Sequence, residues 1–316
     1  MVSVKKVVFK SRNIDVVGHL FIPDNAPAKR NAAVVIGHPM SGVKEQASGN
    51  YAKALAEAGF YALPFDAAYQ GESGGEPRFL EDPYQRSEDS RAAIDFLSAQ
   101  DNIDPNRIGV LGICASGGYV SFAAQTDQRM KAVATISCAN MGSLFREGMP
   151  PGALTLSALK EGLKLANDAR TQEARTGNVL RQPLLPSNWS DLPKGTLWHD
   201  GGEYYLSERA SYPTSRNDFC ARSLDLLATF DAFQFIHMIS PRPLLMIAGS
   251  EADTKYFSDD AIVRAKEPKE LYVIKNATHV SLYDVDLPKA VPKLVDFFTP
   301  VSYTHLTLPT TPYVEI

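Results

Sequence analysis

Arg107-Ile108-Gly109-Val110-Leu111-Gly112-Ile113-Cys114-Ala115-Ser116-Gly117-Gly118-Tyr119 is the stretch whose reading decides the fold. An apolar strand runs into a turn of small residues, and a helix begins near Ala115. That layout matches the nucleophile elbow, commonly G-x-S-x-G, in which a sharp strand-to-helix turn holds a nucleophile up for attack. Here cysteine fills the nucleophile slot, and Ser116 fills the slot of the closing glycine.

Register separates the two candidates. The strand must deliver the nucleophile just after its last apolar residue, with small residues two before and two after so that the backbones can pass closely. The triplet Gly112-Ile113-Cys114 satisfies this, with Ser116 as the tolerated small residue. Choosing Ser116 as nucleophile puts Cys114 where glycine is wanted, so Cys114 is favoured and Ser116 is the alternative. The bland reading of Cys114 is a small buried hydrophobe. The helix N-terminus and a nearby histidine predict a thiolate accessible near neutral pH.

The flanking chain alternates strand and helix. Lys5–Lys10 and Ile14–Ile22 alternate in hydropathy around a turn at Ser11–Asn13, which predicts a hairpin. Ala32–Gly37 and Phe60–Phe65 are apolar runs suited to strands covered on both faces. Tyr51–Ala58 and Ser87–Ala99 are expected helices. Ala132–Ser137, Pro243–Ala248 and Leu271–Ile274 predict further strands, and Leu287–Phe298 a closing amphipathic helix. This order implies a parallel sheet with right-handed crossovers.

Residues 141–240 break the rhythm, with helical stretches at Leu154–Ala169 and Leu224–Met238. Between them lies a passage rich in proline and aromatics around Trp189, Trp198, Tyr204 and Tyr205. A long insertion with this many apolar residues is too hydrophobic for disorder and is expected to cap the active site. Its aromatics point to an apolar or aromatic substrate, or alternatively form the cap's own core. Residues 1–140 and 241–300 then form the core. The stretch Val301–Thr310 resembles a translated transposase adapter from sequencing libraries. Residues 301–316 are therefore read as a non-native tail, with no role for His305 and the native C-terminus expected to be missing.

Bulk properties narrow the function. The chain of 316 residues carries a net charge of -4, which gives no electrostatic footprint for nucleic acid. No apolar run approaches a membrane span, and no secretory signal opens the chain. Three scattered cysteines do not read as a disulfide framework, and a cytoplasmic location is expected. No metal-ligand spacing and no dinucleotide or phosphate fingerprint is found, so no cofactor is expected. The expected partner is a small acyl substrate, with the oligomeric state left open, a homo-oligomer included.

The remaining catalytic candidates follow from chain order. His279, in Asn276-Ala277-Thr278-His279-Val280, stands just past the last strand and is the expected base. Gly249-Ser250-Glu251-Ala252-Asp253 supplies two candidates for the orienting acid. Asp253 is favoured by its spacing and Glu251 is the alternative. An oxyanion hole needs two backbone N–H groups. Ala115 supplies one, and Met40, in Gly37-His38-Pro39-Met40-Ser41-Gly42, supplies the other because Pro39 cannot donate. His38 either shapes that loop or is a plain turn residue. His19 is expected to be structural, and His199 and His237 belong to the cap.

The order of these motifs resembles the α/β-hydrolase superfamily, in detail its dienelactone-hydrolase-like branch, over about Val7 to Phe298. The resemblance rests on His38-Pro39 with Gly42–Gln46, Phe65-Asp66 leading to Gly71–Gly75, the elbow, Pro241-Arg242-Pro243 through Asp253, and Thr278-His279-Val280. It implies a mostly parallel eight-stranded sheet flanked by helices, with an inserted cap. It also implies a triad of Cys114, Asp253 and His279 with oxyanion donors at Met40 and Ala115. Dienelactone hydrolases themselves use cysteine at the elbow. The N-terminal hairpin and the large cap depart from them, so dienelactone is not the expected substrate. The expected activity is hydrolysis of a carboxylic ester, thioester or lactone. Acyl transfer by the same residues, or ligand binding without catalysis, are the alternatives.

Overall fold

The computed structural model describes residues 2–25 and 29–303, with side chains through Pro300. Eight strands form one sheet. They are β1 (Ser3–Ser11), β2 (Ile14–Ile22), β3 (Ala33–Gly37), β4 (Tyr61–Pro64), β5 (Ile108–Ile113), β6 (Val133–Ile136), β9 (Leu244–Gly249) and β10 (Lys269–Ile274). Their order is β1-β2-β4-β3-β5-β6-β9-β10. β2 pairs antiparallel with both neighbours, and every other pair is parallel. The central strands β3, β5 and β9 are buried along their whole length, which their unbroken apolar sequences require. The edge strand β10 carries Lys269 and Glu270 and stays largely exposed.

Helices α1 (Ala47–Glu57), α2 (Pro83–Ser98), α3 (Ala115–Ala124), α8 (Lys255–Arg264) and α9 (Leu287–Tyr303) flank the sheet. α2 starts because the Asp82 carboxylate accepts the Tyr84 and Gln85 N–H groups and Pro83 pre-sets the first turn. α1 begins four residues before the predicted Tyr51. Its first turn carries Gly49, where a side chain would meet the Lys44 carbonyl at 2.7 Å, so close packing overrides helix propensity there. The tail assigned to residues 301–316 lies almost wholly outside the described residues. Only the backbone of its first three residues is described, as the end of α9.

Residues 141–240 leave the sheet after β6 and return at β9. They hold α4 (Met141–Glu147), α5 (Leu156–Thr176), α6 (Leu197–Leu206) and α7 (Ser223–Ala228), with a small antiparallel pair of β7 (Arg181–Pro183) and β8 (Asp218–Cys220). The helix expected over Leu224–Met238 is corrected to α7 followed by a separate 3-10 turn at Ile236–Ile239. The break between them turns on Asp231, whose carboxylate accepts Asn140 Nδ2 at 2.9 Å and the Phe233 N–H at 3.0 Å. Phe230 is thereby driven fully into the core against Phe122 and Tyr119, and its apolar gain outweighs the helical period.

The parallel register aligns Gly37 with Gly112, Ile113 with Ile136, and Gly249 with Ile274. The loops that follow β3, β5, β6, β9 and β10 therefore all emerge at one edge of the sheet. In open α/β sheets this is where ligands bind.

Candidate active site

The elbow is tight for identifiable reasons. Cys114 sits at φ 54°, ψ −118°, an uncommon backbone state for a residue with a side chain and one that clusters at active sites. A Cβ on Gly112 would lie 2.2 Å from the Ser116 carbonyl oxygen, and one on Gly117 would lie 2.8 Å from Cys138 Sγ. Ser116 is 4 % exposed and turned inward, donating its hydroxyl to the His38 carbonyl at 2.5 Å. Gly37 packs against it so closely that a Cβ would come within 2.7 Å of Ser116 Oγ. Ser116 thus joins β3 to the elbow, while Cys114 lines a cavity.

Cys114 Sγ lies within hydrogen-bonding reach of the Ala115 N–H and the Tyr283 hydroxyl. Burial nevertheless pushes the thiol above its ordinary range and outweighs both of these neighbours. The expected near-neutral thiolate is therefore corrected: the resting group is a thiol.

The loop after β3 is built on His38. Its Nε2 accepts the Ala67 N–H at 3.0 Å and lies 2.9 Å from Arg86 Nη1, so the proton sits on Nδ1, 2.7 Å from the Pro39 carbonyl. Burial, with the Arg86 guanidinium beside it, holds His38 well below 6.5. Arg86 also donates to the His38 carbonyl at 2.8 Å, is balanced by buried Glu81 at 3.3 Å, and lies over the Tyr119 ring. His38 shapes the loop that presents Met40. Met40 is buried and lines the cavity beside Cys114, and its N–H has no acceptor among the described residues.

His279 follows β10 and is completely buried. Nδ1 is 2.5 Å from Thr254 Oγ1, and Nε2 is 3.0 Å from the Tyr283 hydroxyl. Burial lowers its pKa to about 3, against a smaller opposing pull from Asp200. The contacts form a chain: Cys114, Tyr283, His279, Thr254. Two proton arrangements of opposite sense satisfy it, according to the tautomer of His279, and in one of them the chain starts at the thiol. There the thiol donates to Tyr283, Tyr283 donates to Nε2, and Nδ1–H donates to Thr254. Helix α1 steadies this segment, with Tyr51 donating to the Leu282 carbonyl at 2.7 Å and Asn50 to the Tyr283 carbonyl at 3.2 Å.

Asp253 is adjacent to Thr254 in the chain, but no hydrogen bond joins it to His279. One of its oxygens accepts the Leu197 N–H at 2.8 Å, in the first turn of α6, and the other is buried without a partner. Burial raises its pKa. Glu251 is exposed and accepts from Ser250, away from the histidine ring. Asp200 of α6 bonds Thr278 Oγ1 at 3.0 Å and the Gly195 N–H at 2.9 Å. The chemistry-bearing residues that sequence reasoning missed are Tyr283, Thr254 and Arg86. Tyr283 left one faint signal, its place four residues after His279.

The cavity above Cys114 is narrow, and the ≈ 540 Å³ of space between its atoms includes open solvent. Its walls come from the loops above the sheet and from the insertion, through Leu144, Leu184, Leu197 and Trp198 among others. The insertion's aromatics divide. Trp198 and Tyr205 face the cavity, whereas Trp189 packs on Gly202 and His199.

The other histidines have local partners or lie at the surface. His199 bonds Asp200 and His237 is exposed, while His305 lies outside the described residues. Among the described residues, His19, Glu45 and Glu72 form one set spaced for a metal. Lys44 Nζ already lies 2.7 Å from Glu45, 2.8 Å from Asp66 and 2.7 Å from Glu72, supplying positive charge at that spot.

The model of the dienelactone hydrolase family matches residues 16–138. The uncharacterized protein YcjY of Escherichia coli is 41% identical over 281 residues, covering 88% of this chain and 91% of that protein. The chain belongs to the dienelactone hydrolase family. It is accordingly an enzyme of the α/β-hydrolase fold. A crystal structure of the hypothetical protein PA2218 from Pseudomonas aeruginosa matches with a TM-score of 0.88 at 36% identity, covering 95% of this chain and 94% of that one. The thiohydrolase AneE of Aspergillus aculeatus is 33% identical over 244 residues, 75% of this chain and 73% of its own. The acyltransferase DrtE of Aspergillus calidoustus is 32% identical over 281 residues, 86% of this chain and 88% of its own. Among the described residues no helix is long and apolar enough to cross a membrane.

Proposed function

We propose that this enzyme hydrolyses a carboxylic ester, thioester or lactone through an acyl-enzyme on Cys114. The observation that carries the reading is the placing of the strained Cys114 on the cavity beside Tyr283, whose hydroxyl lies 3.0 Å from Nε2 of a neutral His279.

As Sγ attacks the acyl carbon, the thiol proton passes to the Tyr283 oxygen while the Tyr283 proton passes to His279 Nε2. The new oxyanion accepts the N–H groups of Ala115 and Met40. Collapse expels the leaving group, which takes a proton back along the same path. Water then gives up its proton by that route, attacks the thioester, and frees the acid and the Cys114 thiol. Asp253 completes the triad as the carboxylate that balances the transient imidazolium. It is next to Thr254 in the chain, and its buried oxygen without a partner supports that role, while Asp200 is the carboxylate whose charge already acts on His279. Residues 141–240 act as a cap that excludes water from the acyl-enzyme. With three free cysteines, the protein belongs in a reducing cytoplasm.

Hydrolysis of p-nitrophenyl acetate tests the reading. Cys114→Ala is expected to lose at least about 1,000-fold in kcat/KM, and Ser116→Ala to stay within about tenfold of the parent. Full activity in Cys114→Ala overturns the assignment. Acyl transfer is the second reading, supported by the apolar, narrow cavity and by the relative named as an acyltransferase. Product ratios with a competing alcohol or amine separate the two.

A further inference from the structure

The side chains around the cavity bear on which acyl group this enzyme takes. No Lys, Arg, His, Asp or Glu lines it, and the side chains that can hydrogen-bond there are Cys114, Thr254, Tyr205, Tyr283 and the Trp198 indole. Thr254 and Tyr283 are already engaged with His279. The cations nearest the site are committed elsewhere. Arg86 lies behind the β3 loop, held by Glu81 and by the carbonyls of His38 and Pro39. Arg209 is held by Asp284 and Glu203. His279 is neutral.

From this lining we infer that the substrate's acyl portion is uncharged and apolar, and that the cavity rejects an acyl group carrying a carboxylate. This deepens the hydrolase reading and rests on Cys114 as the acyl acceptor. A carboxylate entering the cavity loses its water and meets no counter-charge, only neutral donors such as the Tyr205 hydroxyl and the Trp198 indole N–H, and desolvation of an unpaired ion is among the largest penalties a site can impose. An aliphatic chain gains from the same walls, by roughly fourfold per buried methylene until the space is filled.

The experiment compares p-nitrophenyl butyrate with mono-p-nitrophenyl succinate, which match in length and differ in one terminal carboxylate. The expected ratio of kcat/KM is on the order of 100 in favour of butyrate, as for a pocket that leaves a buried polar group unpaired. A ratio below about 10 overturns the inference. Binding of butyramide and succinamate to the Cys114→Ala protein, by calorimetry, reads the same preference without turnover. The inference therefore stands or falls even if the hydrolytic reading fails. Equal affinity for the two amides also overturns it. Leu144→Arg, which places a guanidinium in the cavity wall, is expected to raise succinate turnover relative to butyrate at least tenfold. An unchanged ratio in a folded Leu144→Arg protein counts against the inference.

Discussion

Thr254 Oγ1 stands 2.5 Å from His279 Nδ1, on the side of the ring facing away from Tyr283. The two hydroxyls clamp the imidazole from both sides, and each can donate to or accept from the ring nitrogen it faces. In the tautomer with Nδ1–H directed at Thr254, Nε2 accepts from the Tyr283 hydroxyl, the group through which the proposed proton path runs. Among the described residues no carboxylate bonds the ring directly, and the proposed roles of these side chains lead to measurable outcomes.

Removing the Tyr283 hydroxyl breaks the path between sulfur and imidazole. Tyr283→Phe is expected to lower kcat about 100- to 1,000-fold with little change in KM, the range for a proton-transfer group. The ring stays, so the packing against Tyr204 and Tyr205 survives. Steady-state kinetics with an unchanged melting temperature check this, and a kcat within threefold of the parent argues against the relay.

The two neighbours after β9 have separable effects. Thr254→Val frees Nδ1 of its acceptor and is expected to reduce kcat about 10- to 100-fold, with Thr254→Ser restoring most of it. Asp253→Asn keeps an oxygen for the Leu197 N–H but removes the charge, and is expected to lose at least about tenfold. Glu251→Gln, on an exposed side chain, should remain within twofold. Equal losses in the two carboxylate variants count against Asp253.

The pH dependence follows from burial. His279 is held near a pKa of about 3, so it remains neutral throughout the usual assay range. The kcat/KM profile should therefore be flat from about pH 5 to 8, without the limb near 6.5 of an ordinary histidine. Iodoacetamide labelling of Cys114 should still be rising at pH 9, because the thiol is shifted upward. Stability carries the opposite sign from a salt-bridged histidine. The unfolded chain binds the proton first, so stability held above pH 6.5 is lost as pH falls toward 3. By pH 5 the loss from His279 alone is on the order of 2 kcal/mol, and buried His38 adds in the same direction. Urea midpoints at pH 5 and pH 7.5 measure it.

Arg86→Met strands the Glu81 carboxylate in the core and removes the donors that hold the β3 loop. A destabilisation of about 3–5 kcal/mol is expected from chemical denaturation. Pairing it with Glu81→Gln should recover part of that loss, since the stranded charge is then gone.

The parts of this molecule that were readable in the chain are those governed by local rules. The elbow combines an apolar strand with small residues at fixed spacing, and both are visible in sequence. The strands β3, β5 and β9 announce themselves by unbroken apolar runs, and β6 by one interrupted only at Thr135. Tyr283 was not legible, because an aromatic four residues past a loop histidine carries no pattern of its own. Its role depends on a 3-10 turn and on α1 holding the neighbouring carbonyls. Thr254 and Asp253 are adjacent in sequence, and only tertiary packing decides which of them faces the imidazole. The expected reactive thiolate missed for a related reason: helix and histidine are local cues, whereas the depth of burial is not.

The insertion leaves β6 and returns at β9, two strands that pair directly with Val133 opposite Leu244. Closing a loop costs only about 2 kcal/mol more for each tenfold increase in its length. A long excursion here is therefore almost as cheap for the core as a short turn. The elbow, the β3 loop, Tyr283 and His279 all belong to segments outside it, whereas much of the cavity wall belongs to it. On the proposed reading the core is a reaction head and residues 141–240 its grip, tied to each other by the Leu197 N–H on Asp253 and by Asp200 on Thr278. A segment of different lining that kept those two contacts would retune the pocket without disturbing the residues beneath it.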